Sequence, residues 1–216
     1  PQVDQRITLI EVGNGEGAIG SSGYFPSYEY YTRALDKGWH VAPTNNQDNH
    51  KGKWGNANDA RDVILTDDFS EEGLFAAIRQ YRVYATEDKN LEINYTLNDQ
   101  MLGSIIEEVP ENVVINVSVN DPDSTDSIAK VEVVVNSGAV AYTWDDPDQL
   151  AAGELSCTLP ADYSYYFIRV TQSDGDLAVT APVWVGEVVK MGISSVECGT
   201  SIPVTDEELT LTTTLF

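Results

Sequence analysis

The chain has 216 residues, 42% of them hydrophobic, with 4 Trp and 11 Tyr. That is enough apolar area for one large domain or two ordinary ones, and it excludes a disordered polymer. Against 12 Lys and Arg stand 35 Asp and Glu, a formal net charge of −23 with both His neutral, so the chain repels nucleic-acid backbones and anionic membrane surfaces.

In chain order, Ile7-Thr8-Leu9-Ile10-Glu11-Val12 reads as a buried strand, followed by a Gly/Ser loop to Pro26. Ser27 is placed to cap a helix over SYEYYTRALDK, which Gly38 stops. Trp39-His40-Val41-Ala42 is a short strand, and Thr44 to about Ala60 a long polar loop. Asp62 to Thr66 is a third strand. Ser70 caps a second helix, SEEGLFAAIRQ, with Leu74, Phe75 and Ile78 as its apolar stripe, and Val83 to Thr86 is a fourth strand. Strands alternating with helices predict parallel βαβ units, as in an α/β barrel or open sheet.

Helical periodicity then nearly disappears. Strands are expected at Leu91–Leu97, Val113–Val119, Ala129–Val135, Val140–Trp144, Gly153–Leu159, Tyr165–Gln172 and Leu177–Val185, separated by turn signals such as Asn136-Ser137-Gly138 and Asp174-Gly175. Roughly seven short strands over some ninety residues predict an immunoglobulin-like β-sandwich. The expected division is an α/β domain over 1–90, the sandwich over 91–189, and a tail or the start of a further β module over 190–216. Starting at Pro1 and ending in strand-like sequence at Phe216, the chain reads as a piece of a longer precursor.

The candidate chemistry lies in Thr44-Asn45-Asn46-Gln47-Asp48-Asn49-His50. In an extended segment, residues two apart project to the same side, so Asp48 and His50 can offer a carboxylate oxygen and an imidazole nitrogen to one metal ion. The alternative is a polar loop with an Asx turn and a solvated His. In parallel α/β architectures catalytic groups gather at the carboxyl ends of strands, where Glu11 also falls, as a third ligand, a hydrogen-bonding partner or a solvated strand-end carboxylate. His40 reads as a hydrogen-bonded structural residue. Trp144 and Trp184 read as core anchors. Gly13-Asn14-Gly15-Glu16-Gly17 stands too far from the next helix to cradle a pyrophosphate and reads as a flexible loop. Asp121/Asp123/Asp126, Asp145/Asp146/Asp148 and Asp174/Asp176 read as solvated acidic turns or weak calcium loops. Cys157 and Cys198 either pair or are two buried thiols.

IEVGNG, YEYYTRALDKGW, HVAPTNNQDNHKGKWG and ILTDDFSEEGLFAAIRQYRVYATED together resemble the carboxyl-terminal part of a polymerase and histidinol phosphatase (PHP) domain, in its CehA/McbA-like metallohydrolase branch. YYFIRVTQSDGDLAVTAPVWV resembles the β-sandwich appended to such enzymes. The resemblance covers roughly residues 5–187. It implies a partial (β/α) barrel followed by an immunoglobulin-like sandwich, in a phosphoesterase using Zn, Mn or Fe ions, with a phosphate-ester small molecule as substrate. Asp48 and His50 match the last metal-binding motif, and Glu11 and Asn14 match its E-V-x-N element. Trp54 and Gly55 would shape the adjoining loop, and Arg82, Tyr84 and Thr86 would bond and pack where the barrel meets the sandwich.

With only His40 and His50 present, the family's opening H-x-H and middle histidines have no counterpart. The chain is therefore expected to lack the amino-terminal half of the metal site and to be nearly inactive alone. The rival expectation is a non-catalytic extracellular glycan- or protein-binding module on a degenerate scaffold. No apolar run nears the ~20 residues of a membrane span, so membrane insertion is not expected. Acidity with scarce lysine suits an extracellular or cell-surface location.

Overall fold

The computed structural model describes residues 4–124, 126–186, 193–198 and 211–215, giving the backbone alone for Gln5 and the last two segments. Strand β1 (Leu9–Asn14) pairs antiparallel with β2 (Phe25–Pro26). Helix α1 (Tyr28–Asp36) then carries the chain to β3 (Ala42–Asn46), which pairs parallel with β1. This is a true βαβ unit. Ser27 precedes α1 as expected, but its hydroxyl donates to the Glu11 carbonyl at 3.2 Å and does not cap the helix.

Strand β4 (Arg61–Ile64), α2 (Glu71–Arg79) and β5 (Val83–Thr86) follow. Ser70 caps α2 as the sequence predicts, accepting the Gly73 N–H at 3.1 Å. Here the barrel expectation fails, because β4 pairs antiparallel with β5, and β5 pairs antiparallel with β14 (Leu177–Thr180) through Thr86↔Ala178. A short parallel remnant would leave an open edge. Pairing with β14 covers it, so the chain is largely β with no (β/α) barrel, partial or otherwise, among the described residues.

The remaining strands are β6 (Glu92–Leu97), β7 (Gln100–Met101), β8 (Ile105–Ile106), β9 (Asn112–Asn120), β10 (Ile128–Val135), β11 (Ala139–Trp144), β12 (Glu154–Pro160), β13 (Tyr165–Gln172) and β15 (Val183–Val185). The four-stranded sheet β12-β9-β6-β7 faces a larger one ordered β11-β10-β13-β14-β5-β4, with β15 joining β13 and β8. Strands from both sides of residue 90 thus share one hydrogen-bonded sheet. A separate antiparallel pair, β16 (Ile193–Cys198) and β17 (Leu211–Leu215), lies in the expected tail.

Alternation in β9 buries Val113, Ile115, Val117 and Val119 against Val131, Val133, Tyr166 and Ile168 of the large sheet. The other face of that sheet is covered too: Val134, Phe167 and Val179 meet Tyr31 and Leu35 of α1 and Val12 of β1. The molecule therefore has three layers, with the large sheet in the middle. Trp144 and Trp184 are buried, as expected of core anchors.

The sequence reading missed α3 (Pro147–Ala152), although its signals were present. Asp146 caps it, accepting from Asp148 and Gln149 N–H, Pro147 opens it, and Gly153 closes it in the left-handed conformation. That acidic cluster is a helix start. Cys157 is a buried free thiol, its pKa pushed up to about 11 by burial; the side chain of Cys198 lies outside the described residues.

Candidate functional site

The parallel β1/β3 pair places the carboxyl ends of both strands side by side, with Glu11 opposite Thr44 and Asn14 opposite Asn46 across a bulge. Strand β3 begins later than expected because the Asp4 carboxylate holds the backbone N–H and ring Nδ1 of His40, each at 2.9 Å. His40 is thus the structural residue its position implied. Strand β3 then runs into sequence polar enough to read as loop. Side chains serve the N–H groups of Asn45: its backbone N–H donates to Asp62 Oδ1 at 2.5 Å, and its Nδ2 to the Tyr24 hydroxyl at 2.8 Å.

Glu11 and Asn14 meet, as Asn14 Nδ2 donates to Glu11 Oε2 at 2.8 Å while Asn46 Nδ2 donates to Oε1 at 2.9 Å. Glu11 therefore cross-links the two strand ends. Beyond β3, Asp48 adopts a left-handed backbone (φ 43°), and its carbonyl lies 2.5 Å from His50 Nδ1. A carbonyl only accepts, so Nδ1 carries a proton, and in the neutral ring this is the tautomer whose Nε2 lone pair can bind a metal. The Asp48 carboxylate is 3.9 Å from the same nitrogen, and both side chains are exposed.

The loop bearing this pair is stitched to the Gly13–Gly17 turn. Asn58 Nδ2 donates to the Gly15 and Gly17 carbonyls, at 2.9 and 2.8 Å, and Lys51 pairs with Glu16 at 2.6 Å. The Lys51 hydrogen bond, helped by the His50 N–H, holds the Glu16 carboxyl below its ordinary value. The turn expected to be flexible is therefore tied down: a Cβ on Gly13 would stand 2.2 Å from the Tyr24 hydroxyl.

Asp62 completes the neighbourhood without any sequence signal to announce it. Desolvation of its carboxyl, reinforced by the negative charge of Glu11, pushes its pKa up to about 6. Asp48 and Asp62 line one open depression of about 430 Å³, with Trp54, 81% exposed, at its rim. The other residues expected at the junction make structural bonds. Arg82 donates to the Met101 and Leu102 carbonyls, Tyr84 to the Leu91 carbonyl and Thr86 to the Asp88 carbonyl.

Asp48 and His50 suit a divalent metal by donor type and tautomer, but no third Asp, Glu, His or Cys among the described residues converges with them as on a shared ion. Two donors fall short of the four a Zn site needs.

Two carboxyls whose surroundings disfavour their charge set the pH response. Burial, then the charges of Asp174, Glu87, Asp88 and Asp126, push the Asp176 pKa up to about 7. Asp62 and Asp176 both rise above the 3.8 of a free Asp, so between these limits the folded chain binds more protons than the unfolded one. Their contribution is complete below about pH 4 and is lost as pH rises through 6 and 7. In chelator at fixed ionic strength, the melting temperature should therefore fall from pH 5 to pH 8. A rise over that range would contradict the assignment.

The described residues define a β-rich chain, a two-sheet sandwich with a βαβ unit laid on its larger sheet. Two curated relatives, uncharacterized proteins of Chlamydia trachomatis serovar D and Chlamydia muridarum, are similar to it at 24% and 22% identity over 136 residues. The match covers 57% of this chain and 22% of each relative, so the chain spans about a fifth of the length of the curated relatives it matches. No protein-family model matches the chain, and no solved structure does.

Proposed function

We propose that the chain contributes Asp48 and His50 to the divalent-metal centre of a phosphoesterase whose remaining donors lie outside these 216 residues. The observation that carries this reading is the Nδ1–H···O=C bond of His50, which in the neutral ring leaves the Nε2 lone pair unused, with the Asp48 carboxylate 3.9 Å from Nδ1, just past the ends of two parallel strands. The resemblance to the CehA/McbA-like branch supplies the reaction class. A bound Zn, Mn or Fe ion would lower the pKa of a coordinated water and offset charge on the phosphoryl group. The chain's own residues position the donors: Glu11 and Asn46 fix the strand ends, and Glu16 and Lys51 restrain the loop.

The sandwich would carry this centre on an extracellular or surface protein. Its immunoglobulin-like character rests on the crossings between sheets at β9–β10, β11–β12 and β12–β13. It rests also on Tyr166, whose hydroxyl turns back at the start of β13 to bond the Pro160 carbonyl and Tyr163 N–H.

In the longer parent protein, Asp48→Ala and His50→Ala should each cut metal-dependent cleavage of an aryl phosphate by about 10²-fold or more, while the 216-residue chain alone should be nearly inactive. Full activity in both variants would refute the reading. Exposed Trp54 beside an amide-lined depression favours a second reading, a non-catalytic glycan-binding module. In that case the parent would hold no stoichiometric transition metal, and Trp54→Ala would abolish glycan binding.

A further inference from the structure

At one end of the sandwich, two connections bring three carboxylates together. Asp88 follows β5, Asp121 and Asp126 lie between β9 and β10, and one oxygen from each lies within 4.8 Å of the others. Each Asp has its Oδ1 taken. Asp88 Oδ1 accepts the N–H groups of Asn90 (2.7 Å) and Leu91 (3.0 Å), and Asp121 Oδ1 that of Asp123 (2.8 Å). Asp126 Oδ1 accepts the Ser127 N–H (2.7 Å) and the Ser173 hydroxyl (2.5 Å). These bonds fix the carboxylates, and their Oδ2 atoms face one side chain, Gln172, at the end of β13.

Gln172 is 1% exposed. Its Nε2 lies 3.0 Å from Asp121, 3.2 Å from Asp126 and 3.5 Å from Asp88, while its Oε1 is buried with no hydrogen-bond partner. A single NH₂ group with two protons stands where three anionic acceptors meet, and a covered carbonyl oxygen is left unserved. None of the three carboxylates makes an ion pair among the described residues; Lys89 reaches only Asp123, at 3.8 Å. A second amide oxygen, Asn90 Oδ1, is also covered and unpartnered, on the residue whose N–H binds Asp88.

The Gln172 NH₂ supplies the positive pole where the three carboxylates meet. Half a turn about the last side-chain bond of Gln172 exchanges Oε1 for Nε2. Facing three carboxylates, that oxygen would be repelled unless a positive ion stood between them. We propose that Asp88, Asp121, Asp126 and the Gln172 carbonyl oxygen form a calcium site. All donors are oxygen, most are anionic, and two loops supply the three carboxylates, which suits a large hard cation of adaptable coordination and not a thiolate- or imidazole-seeking metal. The ion would tie β5, and with it the amino-terminal part of the chain, to the β9–β10 loop and the end of β13. It shares no residue with Asp48 and His50.

The test uses the 216-residue chain stripped with chelator, then titrated with CaCl₂ at constant ionic strength by calorimetry and thermal unfolding. One ion should bind per chain, raising the melting temperature by about 5–10 °C at a hundredfold excess over Kd. Asp121→Asn and Asp126→Asn keep the Oδ1 acceptors, so each should melt in chelator at or above the parent temperature and bind calcium at least about tenfold more weakly. Asp48→Ala and His50→Ala should leave the calcium response unchanged, which separates this site from the phosphoesterase reading. No binding heat at about 5 mM CaCl₂, an equal response in the Asn variants, or an equal rise with KCl of matched ionic strength would each overturn the assignment.

Discussion

Phe167→Ala and Ile168→Ala are expected to lower the unfolding free energy by about 3–5 and 2–5 kcal/mol respectively, although they truncate adjacent residues pointing into different cores. Ile168, 0% exposed, faces the four-stranded sheet, and Phe167, 3% exposed, faces α1, with its ring 5.2 Å from that of Tyr31. Comparable losses would show that both layers unfold with the middle sheet as one unit. Urea unfolding followed by tryptophan fluorescence and by far-ultraviolet dichroism measures this, with coincident curves and an unchanged slope expected for both variants. If Phe167→Ala cost less than about 1 kcal/mol while Ile168→Ala cost several, the helical layer would be energetically detached, and the three-layer account would fail.

Glu87→Leu should be comparably severe, at about 3–5 kcal/mol. Glu87 is 4% exposed, and its carboxylate accepts three hydrogen bonds: Oε1 from the Tyr24 and Tyr28 hydroxyls at 2.7 and 2.9 Å, and Oε2 from the Leu177 N–H at 2.8 Å. Burial, then the negative charge of Glu87, drives both phenol pKa values well up, so the tyrosines stay protonated and donate. Leucine would strand all three donors. Glu87→Gln keeps an acceptor for the tyrosines but turns an NH₂ toward the Leu177 N–H, so its loss should be smaller, about 1–3 kcal/mol. The order Leu worse than Gln worse than wild type is the readout in chemical denaturation. Stability of the Leu variant within about 0.5 kcal/mol of the parent would show that the carboxylate bridges nothing of consequence.

Local signals in the sequence identify most elements. The strict alternation of β9 and the Ser70 cap of α2 require only neighbours along the chain, and both elements form where expected. Partner choice is another matter. β5 is buried at all four positions, a pattern shared by the inner strand of a parallel barrel and by one inside a mixed three-layer stack. What decides between them is β14, some ninety residues away, and no property of Val83–Thr86 encodes that encounter. Strand β3 was displaced for a similar reason: Thr44 and Asn45 look like loop residues until the bonds of Asn45 to Asp62 and Tyr24 are known.

The sites divide the same way. That Asp48 and His50 lie close follows from two-residue spacing, a local property, although Asp48 is left-handed (φ 43°) and not extended as that spacing supposes, and Glu11 and Asn14 meet because they sit where a strand ends. Asp62 and Gln172 are not legible in this way, since each gains its character from groups distant in sequence. The acidic turns could be read as solvated or as calcium loops. Only the meeting of Asp88 with Asp121 and Asp126 over the buried Gln172 amide favours the latter for one of them, whereas Asp146 in another proves to be a helix cap.

The pairing of Thr86 with Ala178 also bears on how the chain matures during synthesis. When β1 to β5 leave the ribosome, the strand that will shield β5 has not yet been translated. Closing so long a loop costs entropy that only the finished contact returns. The amino-terminal strands must therefore wait, partly exposed, until β14 emerges, and at the usual pace of about 5–20 residues per second that delay lasts several seconds. During that interval the high density of negative charge on the nascent chain opposes its association with neighbouring copies.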